Sequence, residues 1–411
     1  MIITFIYVFL HVHIRKKGDF SLRCTKVQKA VNFTILLAIL ASFCNFFDLA
    51  IIGVKFSNTS ETAKNAIIES PILIDAQAIG MDAHNWTWAS SQPWCNGSGT
   101  KENPYRISHL EINGMGVNNC IEIRNSKLMY FTIEYCNLHG GGSNISNTIG
   151  ASILLNNSIN GKIYRNTLTE SSAQLACGIY LRNCINMNIA SNNIHSNYYG
   201  ILVNHSYTSN VTGNLIQDNE YSGILLEGNS QIINVDHNII TNNLDGIGLV
   251  GSSYNWIWDN LIKNNDLDNV ICNDCYEIAI QHNNISTSNY GIYIQECSIT
   301  EISYGNLISE NEYGIVIKLS DSNFIEDNKI INNNNYPLWL YHSNNNYIKR
   351  NTITGNKGTV TLTDCEGNHL EGNVIFNQPE LYLVITIVVL ISIASVIGIL
   401  VYRKIKKRRL E

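Results

Sequence analysis

The feature that most constrains this chain is a repeat of 22 or 23 residues that begins at residue 178. Short apolar segments (GIYL, GILV, GILL, GIGL, NVIC, GIYI, GIVI, PLWL and TVTL) start at 178, 200, 223, 246, 269, 291, 314, 337 and 359. Asn recurs with the same period at 192, 214, 238, 260, 283, 306, 328, 351 and 373, and Ile stands two residues after each. Two columns that share one period predict a solenoid of stacked coils.

The composition of the repeat predicts three short strands per coil. Apolar residues alternate and are rich in β-branched types, while Asn, Gly and Ser between them are typical of turns. No stretch inside the repeat has the length or the 3.6-residue period of a helix. Leucine-rich repeats have a similar period but a different spacing of Leu and Asn. Looser coils at 120–136 and 152–166 bring the prediction to an all-β, single-stranded parallel β-helix of about eleven coils, about 50 Å tall.

Stacking of equivalent residues about 4.8 Å apart gives each column a role. The Ile and Val columns are expected to fill the core, and the Asn column to hydrogen-bond the turns of neighbouring coils. Six residues after each start, a third column predicts a turn that accepts only small residues: Cys184, Ser206, Asn229, Ser252, Cys275, Cys297, Ser320, Ser343 and Cys365. Cys275 lies directly below Cys297, so the pair could be free thiols or a stacked disulfide.

The ends of the chain predict a membrane anchor. Residues 381–402 are an uninterrupted apolar run, long enough to span a bilayer, and six Lys or Arg residues follow within 403–409. We expect a signal peptide or signal anchor at 1–55, an N-terminal cap at 56–103, β-helix repeats at 104–377, a transmembrane helix at 378–402 and a basic cytoplasmic tail at 403–411. The expected location is the cell membrane, with a single span and an extracellular body.

Charge argues against nucleic acid as a partner. The formal net charge is −6, and no basic patch exists outside the termini. Phosphate backbones are bound through clustered Lys and Arg, which the repeats lack.

The pattern I-x-x-N-x-I-x-x-N-x-x-G-I resembles the right-handed parallel β-helix repeats of the pectin-lyase-like superfamily. It is most similar to the branch of sugar-binding and nitrous oxide reductase copper-maturation proteins, and NPYRISHLEING at 103–114 is similar to the first coil of such proteins. The Asn-rich tower with a C-terminal span also resembles archaeal surface proteins. The resemblance implies a right-handed helix, but the superfamily's Asn-Thr-Asp, Asp-Asp, Gly-His-Gly, Arg-Ile-Lys and Asp-Pro-His-Asp motifs are absent. No catalytic residue is therefore carried over, and we interpret the chain as non-enzymatic.

Two stacked constellations could bind a metal ion. His237, Asp259 and His282 occupy one place in three successive coils, where they could hold a transition metal or simply form a solvated row. Asp245 stacks on Asp268, and like charges at this distance favour a cation such as Ca²⁺ between them unless the side chains splay into solvent. No cofactor is required by this interpretation, and Ca²⁺ is the possible one.

A row of outward positions, two residues after each start, is unusually apolar: Tyr180, Leu202, Leu225, Gly248, Ile271, Tyr293, Val316, Trp339 and Thr361. This row could bind sugar rings, dock on a partner, be covered by the chain itself, or reflect strand preference alone. The candidate ligand-binding residues are Tyr180, Tyr293, Trp339 and Tyr341, whereas Tyr290, Tyr313 and Tyr336 are expected to form a structural ladder. We therefore predict a protein that binds carbohydrate or a surface partner; the alternatives are a polysaccharide lyase, hydrolase or epimerase, and copper delivery.

Overall fold

The computed structural model describes residues 66–376, except 144, 146–147 and 172–174. These residues wind into a right-handed parallel β-helix of about twelve turns, and each complete turn contributes one short strand to each of three sheets. The sequence prediction of about eleven coils is one too few, because residues 67–75 already form strands inside the segment assigned to the cap. The marker Asn begins only at residue 166, and the equivalent place in the first coil is Ile67.

Sheet 1 opens each coil and has twelve parallel strands within the described residues. Its strands are Ile72–Asp75, Ile121–Arg124, Ala151–Asn156, Cys177–Arg182, Tyr199–Asn204, Ser222–Glu227, Asp245–Val250, Asp268–Asn273, Tyr290–Gln295, Tyr313–Lys318, Leu338–Tyr341 and Thr361–Thr363. The outer face of this sheet is called the wall below.

Sheet 2 follows after the small-residue turn and has thirteen strands in the described part of the chain. Its strands are Cys95–Asn96, Tyr105–Ser108, Phe131–Glu134, Gly161–Tyr164, Asn188–Ala190, Tyr207–Thr212, Gln231–Asp236, Trp256–Trp258, Ala279–Gln281, Glu301–Ser303, Phe324–Glu326, Tyr347–Lys349 and His369–Glu371. Only the first pairing, between Cys95–Asn96 and Tyr105–Ser108, is antiparallel.

Sheet 3 closes each coil, again with thirteen described strands. Its strands are Ile67–Glu69, Leu110–Asn113, Asn137–His139, Thr167–Thr169, Asn193–His195, Leu215–Gln217, Ile239–Thr241, Leu261–Lys263, Asn284–Ser286, Leu307–Ser309, Lys329–Ile331, Thr352–Thr354 and Val374–Phe376. The central Ile of most of these strands points inward and is fully buried, so one continuous apolar core runs along the tower.

The predicted Asn column forms an unbroken hydrogen-bonded ladder inside the turn between sheets 2 and 3. The backbone N–H and the Nδ2 group of Asn192 both donate to Oδ1 of Asn214, at 2.9 and 3.0 Å. Nδ2 also donates to the backbone oxygen of Ile163 one coil below. The same pattern defines the first Asn ladder at 166, 192, 214, 238, 260, 283, 306, 328, 351 and 373. Buried polar groups are thereby satisfied without water.

A second Asn ladder lines the turn between sheet 3 and the next coil, at 197, 219, 243, 265, 311, 333 and 356. One coil carries Ser288 instead of Asn at this place. There Asn269, which replaces the Gly of the repeat, supplies the missing amide: it accepts from Asn265 at 2.8 Å and donates to Asn311 at 3.2 Å. Asn269, the first residue of the segment NVIC, therefore continues the second Asn ladder at the place where most coils have Gly.

Gly occupies this place in six of the nine repeats, and the coils approach closely there. A Cβ added at Gly200 would lie 2.4 Å from the backbone oxygen of Gly223 and 2.7 Å from the Ile216 side chain. No larger residue fits there without moving the next coil.

The small-residue column is confirmed with one correction. Cys184 N–H donates to Ser206 Oγ, and Ser206 N–H donates to Ser230 Oγ, so Ser230 and not Asn229 belongs to the column. This coil carries an additional residue: Gly228 and Asn229 are both left-handed, at φ 62° and 60°, where other coils have one such residue before the column, such as Asn183. Cys275 N–H donates to Cys297 Sγ at 3.3 Å, and both cysteines are free thiols.

A short helix, Trp86–Ser90, packs over the lower end of the core. Asn85 caps it by accepting from the N–H groups of Thr87 and Trp88. The Trp86 ring stacks on Tyr105 at 4.6 Å and donates from Nε1 to Ser126 Oγ. Among the described residues no helix is long and apolar enough to cross a membrane. The predicted signal segment at 1–55 and span at 378–402 lie outside the described residues.

Candidate functional site on the outer face of sheet 1

The wall carries the outward row in the register that the sequence predicts. Tyr180 pairs with Leu202, and the pairing continues coil by coil through Gly248, Ile271, Tyr293, Val316 and Trp339 to Thr361. A second outward column, three residues earlier in each coil, contains Tyr199, Ser222, Asp245, Asp268, Tyr290 and Tyr313. The two columns give the lower and upper parts of the wall different chemistry.

The lower part of the wall is apolar and buried. Tyr180 is only 8% exposed and forms a small cluster with Ala151, Cys177, Leu202 and Leu225. Five coils separate Tyr180 from Tyr293, which is about 24 Å along the axis. Tyr180 therefore does not share a binding surface with the other three aromatic residues that the sequence singled out.

The upper part of the wall is a continuous aromatic patch, defined by Tyr290, Tyr293, Tyr313, Tyr336, Trp339 and Tyr341. All six rings are half-buried, so each keeps an exposed portion. Tyr290 and Tyr313 stack at 4.9 Å, and Trp339 lies 5.5 Å from Tyr336 and 5.9 Å from Tyr341. Trp339 Nε1 donates to Thr363 Oγ1, which fixes the indole plane. The tyrosines expected to be purely structural thus extend the predicted platform over three coils.

The carboxylate pair, Asp245 and Asp268, lies directly below the aromatic patch. The two residues are partners in register and are 6% and 4% exposed. The Oδ1 atom of each is buried and has no hydrogen-bond partner, and neither carboxylate forms an ion pair with any described residue. The predicted stacking is therefore present, but the side chains are buried and do not splay into solvent.

Burial dominates the electrostatics of the pair. Removal from water and, to a smaller extent, the neighbouring Asp245 charge together raise the pKa of Asp268 to about 7. Burial also raises the pKa of Asp245, although a hydrogen bond from the backbone of Asp268 opposes that shift. The pair can thus hold a proton near neutral pH or accept a cation between its oxygens.

Gly248 is the smallest member of the outward row and lies close to Asp245 on the same strand. A Cβ at this position would lie 3.1 Å from Leu225, 3.7 Å from Ile271 and 3.8 Å from Ser222 Oγ. Tyr290 is the in-register neighbour of Asp268 on the upper side, and the Asp268 charge contributes to the raised pKa of Tyr290 after burial. The carboxylate pair and the aromatic patch therefore form one continuous site.

The predicted His column is only partly assembled. Nε2 of His237 lies 3.8 Å from an Asp259 oxygen, and its Nδ1 lies 2.6 Å from Asp236, a neighbour that the sequence prediction did not include. His282 is exposed and packs on Tyr304, with ring centroids 6.5 Å apart. The structure brings His237 and Asp259 together, while His282 contacts a different partner.

The fold and the wall define the chain as a parallel β-helix protein of the pectin-lyase-like type. Residues 102–302 and 268–387 match the sequence profile of the family described as periplasmic copper-binding protein (NosD), and the chain belongs to this family. No curated protein sequence matches it.

One solved structure shares the fold, and two others are similar over much of the chain. The A-module of the mannuronan C-5 epimerase AlgE6 from Azotobacter vinelandii is 13% identical, with 80% of this chain and 94% of that chain covered and a TM-score of 0.59. A mutant of the periplasmic alginate epimerase AlgG is 12% identical, with 79% and 90% covered and a TM-score of 0.47. The Dettilon tailspike protein is 12% identical, with 66% and 62% covered and a TM-score of 0.43.

Copper does not fit the described part of the chain. Within it, no group of three or more His, Cys, Asp or Glu side chains lies close enough to hold a metal ion. Cu(I) prefers thiolates; burial raises the pKa of the Cys184 thiol to about 12, whereas a hydrogen bond with Cys297 lowers the pKa of one thiol, Cys275. We therefore assign no chemistry to copper at these residues.

Proposed function

We propose that this protein is an extracellular, membrane-anchored β-helix that binds a polysaccharide along its wall. The aromatic patch is the observation that carries the proposal. It presents six partly exposed rings over three coils, and a chain of sugar rings can stack on such a surface. The family's description as periplasmic agrees with a body outside the cytoplasm, and the apolar run at 381–402 would hold that body at the membrane.

Binding to a polysaccharide array tests this proposal. The full-length protein in detergent should be retained on at least one glycan, and Trp339→Ala should weaken retention by about tenfold or more, since one stacked ring contributes about 1–2 kcal/mol. Tyr304→Asn is the matched control, because it removes an exposed ring on another face.

Tyr293→Ala is a second test of the aromatic patch, from its other edge. It keeps the proposal testable if Trp339→Ala fails to fold. Retention that neither substitution changes would refute the proposal, as would the absence of retention on every glycan. A protein partner would then be the remaining ligand for the wall.

A cation at the carboxylate pair is part of the proposal. Two buried carboxylates whose Oδ1 atoms have no partner provide oxygen ligands of the kind that Ca²⁺ prefers, and glycan hydroxyls or water would complete the coordination. Retention on the array should then be stronger with Ca²⁺ than after chelation. Equal retention in both conditions would remove the cation from the proposal and leave the aromatic patch as the binding surface.

A polysaccharide-modifying enzyme is the second candidate, and one observation favours it. The pKa of Asp268 is raised to about 7, so its carboxyl group can donate or accept a proton at neutral pH beside a surface that binds sugar rings. The likeness to a module named for mannuronan epimerisation makes the same chemistry worth testing here. Depolymerisation or epimerisation of a retained glycan that disappears in Asp268→Asn would support the enzyme. Retention without any change in the glycan would support a binding protein.

A further inference from the structure

A groove on the outer face of sheet 2 has a chemistry different from that of the wall. It has a volume of about 220 Å³ and is lined by aromatic and aliphatic side chains together with two glutamates. The wall and this groove lie on different sheets, so an inference about the groove does not rest on the function proposed above.

The groove arises from one outward column. Trp256, Ala279, Glu301 and Phe324 are consecutive partners in register, so they occupy four successive coils. The small Ala279 side chain leaves a hollow between Trp256 below and Glu301 above, which are about 10 Å apart along the axis. Trp256 is 42% exposed, although a Trp ring on a solvated strand face is costly unless it contacts something.

The rim of the groove is rigid and aromatic. Phe324 stacks on Tyr347 at 5.2 Å, and that ring stacks on His369 at 5.0 Å. On the turn side, Tyr254 packs edge-on against Tyr276 at 5.7 Å. Rings that are held by neighbours lose little conformational freedom when a ligand binds.

The charged groups of the groove are both acceptors. Glu301 is half-buried and accepts from Ser303 Oγ at 2.8 Å, which orients its carboxylate. Glu277 is exposed on the adjoining turn. None of the residues that line the groove is basic. The groove therefore repels anions and gains from a positive charge.

We propose that this groove binds an organic ammonium group carried on a compact apolar body. The face of Trp256 attracts a cation through its ring quadrupole, and Glu301 and Glu277 neutralise the charge. Aromatic faces combined with carboxylates are the chemistry by which proteins recognise quaternary ammonium ions. An acidic sugar is excluded by the same charges.

Calorimetric titration of the full-length protein in detergent with choline tests the proposal. 3,3-Dimethylbutan-1-ol has the same shape as choline without the charge, so it separates charge recognition from apolar contact. We expect millimolar binding of choline and at least about tenfold weaker binding of the neutral alcohol. Trp256→Ala and Glu301→Gln should each weaken choline binding by about tenfold.

One matched control and a second groove variant distinguish a specific loss from damage to the fold. Glu310→Gln removes an exposed carboxylate outside the groove and should leave choline binding unchanged. Glu277→Gln changes only an exposed turn side chain, so it tests the charge requirement even where Glu301→Gln fails to fold. Equal binding of choline and the neutral alcohol would overturn the proposal, and so would the absence of heat up to about 50 mM choline.

Discussion

Two stacked polar columns in this molecule have opposite energetics. In the first Asn ladder, every amide donates to the coil below and to the coil above while its own oxygen accepts, as at Asn260, so stacking satisfies all the groups. In the carboxylate pair, Asp245 and Asp268 also stack in register, but both side chains are acceptors and their Oδ1 atoms stay unpartnered. Stacked Asn side chains therefore stabilise the β-helix, whereas stacked Asp side chains are stable only when they bind a proton or a cation.

The largest effect on stability is expected when a carboxylate is placed in the first Asn ladder. Asn260→Asp replaces an Nδ2 donor by an oxygen that faces the backbone oxygens of Val235 and Trp258 and Oδ1 of Asn283. We expect a loss of about 4 kcal/mol or more in the free energy of unfolding at pH 7, because a buried carboxylate would face three acceptors. Urea denaturation measures the loss. Asn229→Asp, on an exposed turn, is the matched control and should change stability by less than about 0.5 kcal/mol.

The converse change places an amide in the carboxylate pair, as in Asp268→Asn. The pKa of Asp268 is about 7 in the folded state against 3.8 for the ordinary side chain, so the folded protein retains a proton that the unfolded chain releases between these values. Stability should therefore fall as the pH rises from about 4 to about 7, by at most about 4 kcal/mol. Asp268→Asn should remove this contribution and raise the unfolding midpoint at pH 8.

The pH profile of Asp268→Asn is compared with that of Asp266→Asn, which alters an exposed carboxylate two residues away. Subtracting one profile from the other cancels the titration of the remaining acids. The prediction is wrong if the stability of the wild-type protein changes with pH in the same way as that of Asp268→Asn between pH 4 and pH 8. The pair would then ionise without any loss of stability.

Cation binding should have a smaller effect on the same pair. At a Ca²⁺ concentration about tenfold above the dissociation constant, the free energy of unfolding should increase by about 1.4 kcal/mol. Differential scanning calorimetry with and without Ca²⁺ at pH 8 measures the increase, and Asp245→Asn should abolish it. An equal increase in both proteins would place the cation elsewhere on the chain.

The smallest effect is expected in the small-residue column, where the two side-chain types are interchangeable. Cys297→Ser keeps an acceptor for the Cys275 N–H group, and Ser320 already occupies the same place one coil above. We expect a change of less than about 1 kcal/mol in thermal unfolding experiments. A larger loss under oxidising conditions would indicate a disulfide between Cys275 and Cys297.

The period of the sequence predicted which residues stack, and it predicted this well. The first Asn ladder, the outward row from Tyr180 to Thr361 and the pairing of Asp245 with Asp268 follow from counting 22 or 23 residues. The count failed at Asn229, because an additional residue in one coil shifts Ser230 into the column. It also missed the first coil at 67–75, which lacks the marker Asn.

Burial and cavities could not be predicted in the same way. The sequence gives the column of Asp268, whereas its 4% exposure depends on the side chains packed around it. The groove at Trp256 could have been suspected, since the same period places Ala279 between Trp256 and Glu301. Its volume and the half-buried position of Glu301 depend on ring orientations that a period does not contain.

The repair of the second ladder by Asn269 has a genetic consequence. Ser288 and Asn269 are compensating departures from the repeat, because the Asn269 amide occupies the room that an Asn at 288 would need. Reverting either position alone should therefore be harmful: Ser288→Asn would crowd the turn, and Asn269→Gly would open a gap between Asn265 and Asn311. Only the double reversion restores the regular pattern, so these two sites are expected to mutate together and to show strong epistasis in a double-mutant cycle.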